Sequence, residues 1–216
     1  MIRLLAKACA VAGLLGGLVP AWAAHAYAQF GDIKYPPGFA HFDYVNPTAP
    51  KGGSIVLVPP TRVSNFDKYN PFTLKGIAPP GLDGLVFESL LTRNFDEPTT
   101  AYGLLAEDVE VAADRRSVTF RLRRLARFHN GDPVLAQDVK HSFEMLTSKQ
   151  AAPQLRSYFS DIERVRTVDD RTVVFEFKRV NAELPLIAGD MPVFSRKWGA
   201  GKPFDEIVTD IPIGSG

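Results

Sequence analysis

Cysteine is nearly absent from this sequence of 216 residues, which contains only Cys9. A lone cysteine excludes an internal disulfide framework, so the folded chain has to be stabilised by its hydrophobic core. It also excludes a cysteine-rich zinc site, because such sites need several thiolates at fixed spacing. The chain further lacks an uninterrupted apolar run of the roughly 20 residues that a membrane-spanning helix requires.

An excess of charge of either sign is also missing. The chain has 25 basic and 24 acidic residues, a formal net charge of +1. Nucleic-acid-binding and membrane-surface proteins usually carry a basic excess, so the composition argues against both classes. Aromatic residues are plentiful, at 11% of the chain, and a disordered chain would contain few of them.

The first residues have the pattern of a cleavable secretion signal. Arg3 and Lys7 form a basic start, and the stretch from residue 8 to residue 19 contains only apolar residues and glycine. Two A-x-A sites follow, namely Ala21-Trp22-Ala23 and Ala26-Tyr27-Ala28. The pattern predicts a signal peptide over residues 1–28, cleaved after Ala28, with cleavage after Ala23 as the alternative. A membrane anchor fits less well because the apolar run is short. We therefore expect a periplasmic protein.

Hydrophobic patterning in the first half predicts one strand, a long loop and one helix. The continuous apolar run Ile55–Val58 predicts a strand that is buried on both faces. Residues 61–80 are rich in Asn and Pro and predict an ordered loop. Apolar residues then recur at helical spacing from Leu82 to Leu90, after a start signal at Pro79-Pro80-Gly81.

The second half predicts a strand, a helix and a hairpin. Alternation over Val118–Leu122 indicates a half-buried strand. Val139, Phe143 and Leu146 predict an amphipathic helix, with Asp138, Lys140 and Glu144 on its outer face. Asp169-Asp170 marks the turn of a hairpin, with Ile162, Val165 and Val168 before it and Val173, Phe175 and Phe177 after it. This order of elements indicates a mixed α/β or α+β fold rather than a bundle or a sandwich.

Four segments, taken in order, resemble the dipeptide- and oligopeptide-type extracellular solute-binding proteins of family 5. They are Leu104–Glu107 with Asp114 and Val118–Arg123, then Phe128–Val139, then Asp169–Val173, and finally Pro212–Gly216. The segment Leu91–Ala106 most resembles the microcin- and oligopeptide-binding subgroup among the periplasmic receptors of peptide ABC importers. The resemblance spans about residues 50–216, and its strength lies in the combination and order of motifs that are individually weak.

The resemblance implies a lobe of the type II periplasmic-binding-protein fold. It implies a signal peptide over residues 1–28, a first part of lobe I over residues 29–75, an inserted subdomain over residues 76–188 and a return into lobe I over residues 189–216. It also implies that the second lobe and the hinge follow Gly216, so that the chain is the N-terminal fragment of a receptor.

The function implied by the resemblance is the capture of oligopeptides or peptide-like solutes for import by an ABC transporter. The expected partners are the ligand and a separate permease and ATPase complex, with no nucleic acid. Neither catalysis nor a cofactor is expected, and the full-length receptor is expected to be a monomer.

Ligand contacts are predicted at the rim that follows the strand Ile55–Val58, because ligands of α/β lobes bind outside the carboxyl ends of strands. The candidate residues are Pro60, Thr61, Arg62, Phe66, Asn70 and Phe72. The Asn70 amide offers both donors and an acceptor. The aromatic candidates are more often packed between loop and lobe than in contact with ligand, since large apolar side chains are usually buried.

Residues that suggest other functions lack the necessary context. Ser215 stands in Gly-Ser-Gly rather than in the G-x-S-x-G of a hydrolase, and the adjacent Asp169 and Asp170 point in different directions. His129 and His141 are twelve residues apart without a recognised ligand spacing, so no metal site is expected. A secreted serine hydrolase remains the enzymatic alternative, and a ligand-sensing or interaction module with the same fold is a third reading.

One position departs from the family pattern. Where the family has a hydroxyl residue, three positions before an acid, this chain has Leu135 before Asp138. A hydroxyl there would form an N-terminal capping box with the acid. Leucine has no side-chain acceptor, so we expect the helix to be weaker by about 1 kcal/mol unless another group substitutes.

Overall fold

The computed structural model describes residues 24–54, 56 and 65–216, which contain two antiparallel sheets and four short to medium helices. The predicted strand Ile55–Val58 lies outside the described residues except for Val56, which is 86% exposed and is not in a strand, contrary to the predicted burial. The candidates Pro60, Thr61 and Arg62 lie outside the described residues altogether. Within the part of the chain that is described, none of the helices combines the length and the apolar character that a membrane crossing needs.

The elements alternate along the chain as a mixed α/β fold. The strands are β1 (Ala26–Ala28), β2 (Leu91–Arg93), β3 (Thr100–Gly103), β4 (Ala106–Val111), β5 (Ser117–Leu122), β6 (Ile162–Thr167) and β7 (Thr172–Phe177). The helices are α1 (Leu82–Val86), α2 (Ala136–Thr147), α3 (Pro153–Tyr158) and α4 (Leu184–Gly189). A 3-10 turn follows at Phe204–Glu206. This confirms the predicted fold class.

The larger sheet has the strand order β4-β5-β7-β6, with all neighbours antiparallel. The predicted strand around residue 120 is confirmed as β5, and Val118, Phe120 and Leu122 are fully buried on one face. The predicted hairpin is confirmed as β6–β7. Val168, however, is not on the inner face: it is 57% exposed, because β6 ends at Thr167 and Val168 already begins the turn.

Helix α2 packs against the hairpin strands and confirms the predicted amphipathic helix. The prediction that Asp138 faces outward is wrong, because its side chain is only 5% exposed. Its carboxylate accepts a hydrogen bond from the Leu135 backbone N–H at 3.0 Å and another from the Arg196 N–H at 3.1 Å. Asp138 therefore supplies half of the capping box that Leu135 cannot complete, and it also ties the start of α2 to the segment around residue 196.

Helix α1 is shorter than the periodicity predicts. It ends at Val86 because Phe87 adopts an extended backbone conformation. The Gly216 N–H donates to the Val86 carbonyl oxygen at 3.0 Å and so satisfies one of the open carbonyls at the helix end. Gly214 passes so close that a Cβ atom there would lie 1.9 Å from the same oxygen, which only glycine permits.

The smaller sheet has the order β1-β3-β2 and contacts β4 through β3 and β1. One buried core of aliphatic and aromatic residues extends over most of the described chain. Beside it lies a separate cluster around Tyr35 and Tyr102. The domain boundaries expected at residues 75 and 188 remain predictions.

Candidate functional site

A cavity of about 490 Å³ opens beside Phe72, at the junction of the long loop with α1 and α3. Its lining comes from four chain segments: Pro71 and Phe72 from the loop, Asp83, Gly84, Phe87 and Ser89 from α1 and the residues after it, Ala152, Leu155, Tyr158 and Phe159 from α3 and its ends, and Asp190 and Pro192 after α4. A volume of this size lies within the range of small-ligand pockets, roughly 300–1,000 Å³.

The loop that forms one wall is held by Asn70, which is fully buried. Its side-chain amide donates to the Phe204 carbonyl oxygen at 2.9 Å, and its Oδ1 accepts the Phe72 N–H at 3.0 Å. The Phe72 carbonyl oxygen in turn accepts the Ala152 N–H at 2.8 Å, which connects the loop to the start of α3. These bonds give Asn70 a structural role in positioning Phe72, and its predicted contact with ligand remains a prediction.

Phe72 is the candidate that the structure places at the cavity. Its ring is 5.0 Å from that of Phe87 and stacks on Phe194 at 5.6 Å, measured between centroids. Only 5% of the residue is exposed, so the wall it forms is packed and rigid. Phe66 does not line this cavity: it is 49% exposed and lies against Tyr69 at 5.5 Å.

A second anchor of the loop was not predicted from the sequence. Lys68 is 5% exposed, and its Nζ donates to the Thr73 carbonyl oxygen at 2.6 Å and to Thr73 Oγ1 at 3.0 Å. Burial lowers the pKa of this ammonium group. A lysine in a polar loop carries no sequence signal for burial, so only the structure reveals that Lys68 closes the loop segment between itself and Thr73.

Two carboxylates at the cavity rim differ in their partners. Asp190 accepts hydrogen bonds from Arg93 Nε at 2.9 Å and Nη2 at 2.6 Å, and this pairing raises the pKa of Arg93. Burial raises the pKa of the Tyr158 hydroxyl beside them. Asp83 is exposed, and within the described residues no cation or hydrogen-bond donor pairs with it. Among the described residues, the cavity therefore combines an apolar floor with a rim carboxylate, Asp83, that has no partner.

The groups that suggested an enzyme are not arranged as one. Within the part of the chain that the structure describes, Ser215 Oγ is buried without a hydrogen-bond partner, so no base is in place to activate it. Asp169 accepts the Arg171 N–H at 2.7 Å, a turn contact that lowers the pKa of its carboxyl.

The histidines likewise form no metal centre. His129 is exposed in a turn, and His141 is half-buried against the Phe194 ring at 5.9 Å. Across residues 24–54, 56 and 65–216, no group of three or more His, Cys, Asp or Glu side chains could hold a metal ion.

Comparison with known proteins gives a consistent result. Residues 100–216 match the model of the bacterial extracellular solute-binding proteins, family 5 Middle. The chain is 42% identical over 181 residues to the uncharacterized protein y4wM of Sinorhizobium fredii, covering 83% of this chain and 26% of that protein. It is 38% identical over 186 residues to the probable peptide-binding protein YejA of Agrobacterium fabrum, covering 86% and 29%.

A solved structure shares the fold. The periplasmic binding protein AgaA from A. tumefaciens R10, in complex with agropinic acid, matches with a TM-score of 0.52 and 26% identity, over 61% of this chain and 26% of AgaA. The chain thus spans between a quarter and a third of the length of the proteins it matches here.

Proposed function

We propose that this chain, which belongs to the family 5 bacterial extracellular solute-binding proteins, forms part of the ligand-capturing lobe of a periplasmic receptor for oligopeptides or peptide-like solutes. The observation that carries the proposal is the cavity beside Phe72, which has a rigid aromatic wall and a rim carboxylate and lies within a fold that the family uses for solute binding. The peptide-binding relative from Agrobacterium supports the class of ligand.

The chemistry of the cavity favours a side chain or terminus that is both apolar and cationic. Phe72, Phe87 and Leu155 offer an apolar surface, while the exposed Asp83 carboxylate offers a partner for an ammonium or guanidinium group. Peptide receptors that hold the ligand main chain can accept varied side chains in such pockets. The remaining candidates, Pro60, Thr61, Arg62, Phe66 and Asn70, stay proposed ligand contacts from the same loop.

The proposal extends to the context of the protein. We place it in the periplasm, where two lobes close around the ligand and deliver it to an ABC permease and its ATPase. The lobe pieces 76–188 and 189–216, and the boundary of the first piece at residue 75, are proposed on the same basis. The protein acts by binding and not by catalysis.

A second class of ligand is favoured by one observation. AgaA, which binds agropinic acid, is 26% identical over the matched region, so an opine-like solute is the alternative within the same function. The serine hydrolase finds no support, because Ser215 has no hydrogen-bonded base among the described residues. A sensor that uses the same fold would bind ligand equally well and is separated from a transporter by uptake assays.

The test uses the full-length receptor, incubated with a casein peptide pool and examined by native mass spectrometry. We expect retained peptides, no hydrolysis and weaker retention in Gly84→Phe, because Gly84 lines the cavity and a Cβ atom there meets nothing within 4 Å. Leu85→Phe is the matched control, because Leu85 is 65% exposed and does not line the cavity.

Two results would overturn the proposal. Retention of no peptide at all by the folded receptor would remove the ligand class. Equal peptide retention by wild type and Gly84→Phe would show that the cavity is not the binding surface. Selective retention of agropinic acid, added to the same peptide pool, in place of peptides would establish the alternative.

A further inference from the structure

The residues just after the first A-x-A site are part of the folded lobe. The Ala24 N–H donates to the Val109 carbonyl oxygen at 2.9 Å, and the Val109 N–H donates back to the Ala24 oxygen at 2.7 Å. Strand β1 follows at once and pairs with β3, with Ala26 opposite Tyr102. The chain is therefore integrated into the sheets from Ala24 onward.

Side chains of this segment also make hydrogen bonds and packing contacts within the lobe. His25 Nε2 lies 2.8 Å from the Tyr35 carbonyl oxygen, and the Tyr27 hydroxyl donates to the Ala182 carbonyl oxygen at 2.7 Å. Ala26 is 3% exposed. Its cross-strand partner Tyr102 is the centre of an aromatic cluster, with ring centroids 5.7, 5.3 and 5.4 Å from those of Tyr35, Phe39 and Phe42.

The second A-x-A site has a structural explanation that needs no protease. Ala26 is small because it packs opposite the buried Tyr102, and Ala28 pairs with Thr100 in the same strand. The bond after Ala28 leads directly into the Gln29 N–H, which donates to the Thr99 carbonyl oxygen at 2.9 Å. Cleavage there would delete β1, convert the central strand β3 into an edge with unpaired backbone groups and remove the partner of the Tyr35 carbonyl.

We propose that a membrane-bound signal peptidase cleaves the Ala23–Ala24 bond and that the mature protein begins at Ala24. The proposal takes the alternative site of the sequence pattern in place of Ala28, and it rests on the export that the proposed function requires. Ala21 and Ala23 supply the small residues on the leaving side of the bond. Water adds across the amide, so that Ala23 gains a carboxylate and Ala24 an ammonium group. That ammonium still carries N–H groups for the Val109 oxygen, so the pairing at the start of the sheet survives.

To test this, the complete gene is expressed with its own leader in a Gram-negative host. The N-terminus of the periplasmic protein is then determined by Edman sequencing and intact mass. We expect Ala24 as the first residue. Ala23→Lys should accumulate precursor or shift the cut, because a lysine cannot replace the small residue before the bond. Ala28→Lys is the matched control and should be cut at the same place as the wild type, even if its sheet is weakened.

Three outcomes would overturn the proposal: an N-terminus at Gln29, precursor accumulating with Ala28→Lys but not with Ala23→Lys, or a wild-type protein that keeps its leader. None of these readouts requires ligand. A receptor that binds another solute can still begin at Ala24, and a peptide receptor can still begin at Gln29, so failure of this inference and failure of the proposed function are distinguishable.

Discussion

Removal of the Asp138 carboxylate should destabilise the lobe far more than removal of an exposed acid from the outer face of a helix would. Asp138→Ala deletes the acceptor of the Leu135 N–H at the start of α2 and the acceptor of the Arg196 N–H in the returning segment. Loss of a helix cap costs about 1 kcal/mol. Loss of the second, partly buried hydrogen bond costs about another 1 kcal/mol. The contact with the Arg196 guanidinium, at 3.9 Å with that side chain 45% exposed, adds little.

We therefore expect Asp138→Ala to lower the free energy of unfolding by about 2 kcal/mol. Asp138→Asn keeps one acceptor oxygen and should lose about half of that. The matched control is Glu144→Ala, on the same helix, which removes an exposed pair with Lys140 at 3.8 Å and should cost at most about 0.5 kcal/mol. Urea-induced unfolding followed by circular dichroism measures all three, with unchanged slopes as the check that only stability has moved.

A loss of stability for Asp138→Ala no greater than that for Glu144→Ala would contradict this prediction. It would mean that the Leu135 and Arg196 amides find other partners, and that the carboxylate neither caps α2 nor ties it to the segment that returns towards the loop.

Two further predictions concern the packing around α1 and α2. Gly214→Ala should destabilise the protein by about 3 kcal/mol or displace the segment after it, because its Cβ would meet the Val86 carbonyl oxygen at 1.9 Å. Gly84→Ala should instead stabilise α1 by about 0.5–1 kcal/mol, because a Cβ atom there has open space around it. Equal shifts in melting temperature for the two variants would contradict this prediction. Burial lowers the pKa of His141 below its ordinary value of 6.5, so protonation favours the unfolded state and stability should fall as pH drops through 6.5 towards the lower folded pKa. In His141→Gln this part of the pH dependence should disappear from urea midpoints measured between pH 5 and pH 8, and an unchanged profile would contradict it.

The sequence predicts those elements whose periodicity arises from a single buried face. β5 and the β6–β7 hairpin alternate because one face of the larger sheet covers the core, and α2 repeats at helical spacing because it lies on that sheet. Such patterns need no knowledge of distant residues. The turn at Gly131 also depends on local geometry alone, since its φ of 87° favours glycine.

Elements that depend on distant partners are not predictable in this way. β1 has only three residues and becomes a strand because β3 lies beside it. α1 stops at Val86 where residues 214–216 pack against its end, although the apolar spacing continues to Leu90. In the sequence, Asp138 is an acid on a polar helix face. Only the fold shows that the Arg196 N–H lies close enough to donate a hydrogen bond to it.

The candidate site shows the same division. From the sequence, Phe72 could be named as a candidate, because its loop follows an apolar run and is rich in residues that suit a rim. The cavity itself could not, since its other walls come from α1, α3 and the segment around Asp190, which lie far apart along the chain. The structural use of Asn70 and the burial of Lys68 depend on backbone groups that no sequence pattern marks.

The central claim is that the cavity beside Phe72 receives part of a captured solute. The most direct measurement is a crystal structure of the full-length receptor grown after incubation with the casein peptide pool. We expect a bound peptide to contact the ring of Phe72 and to place a cationic group near the Asp83 carboxylate. A peptide bound elsewhere, with the cavity between Phe72 and α3 free of ligand, would contradict it.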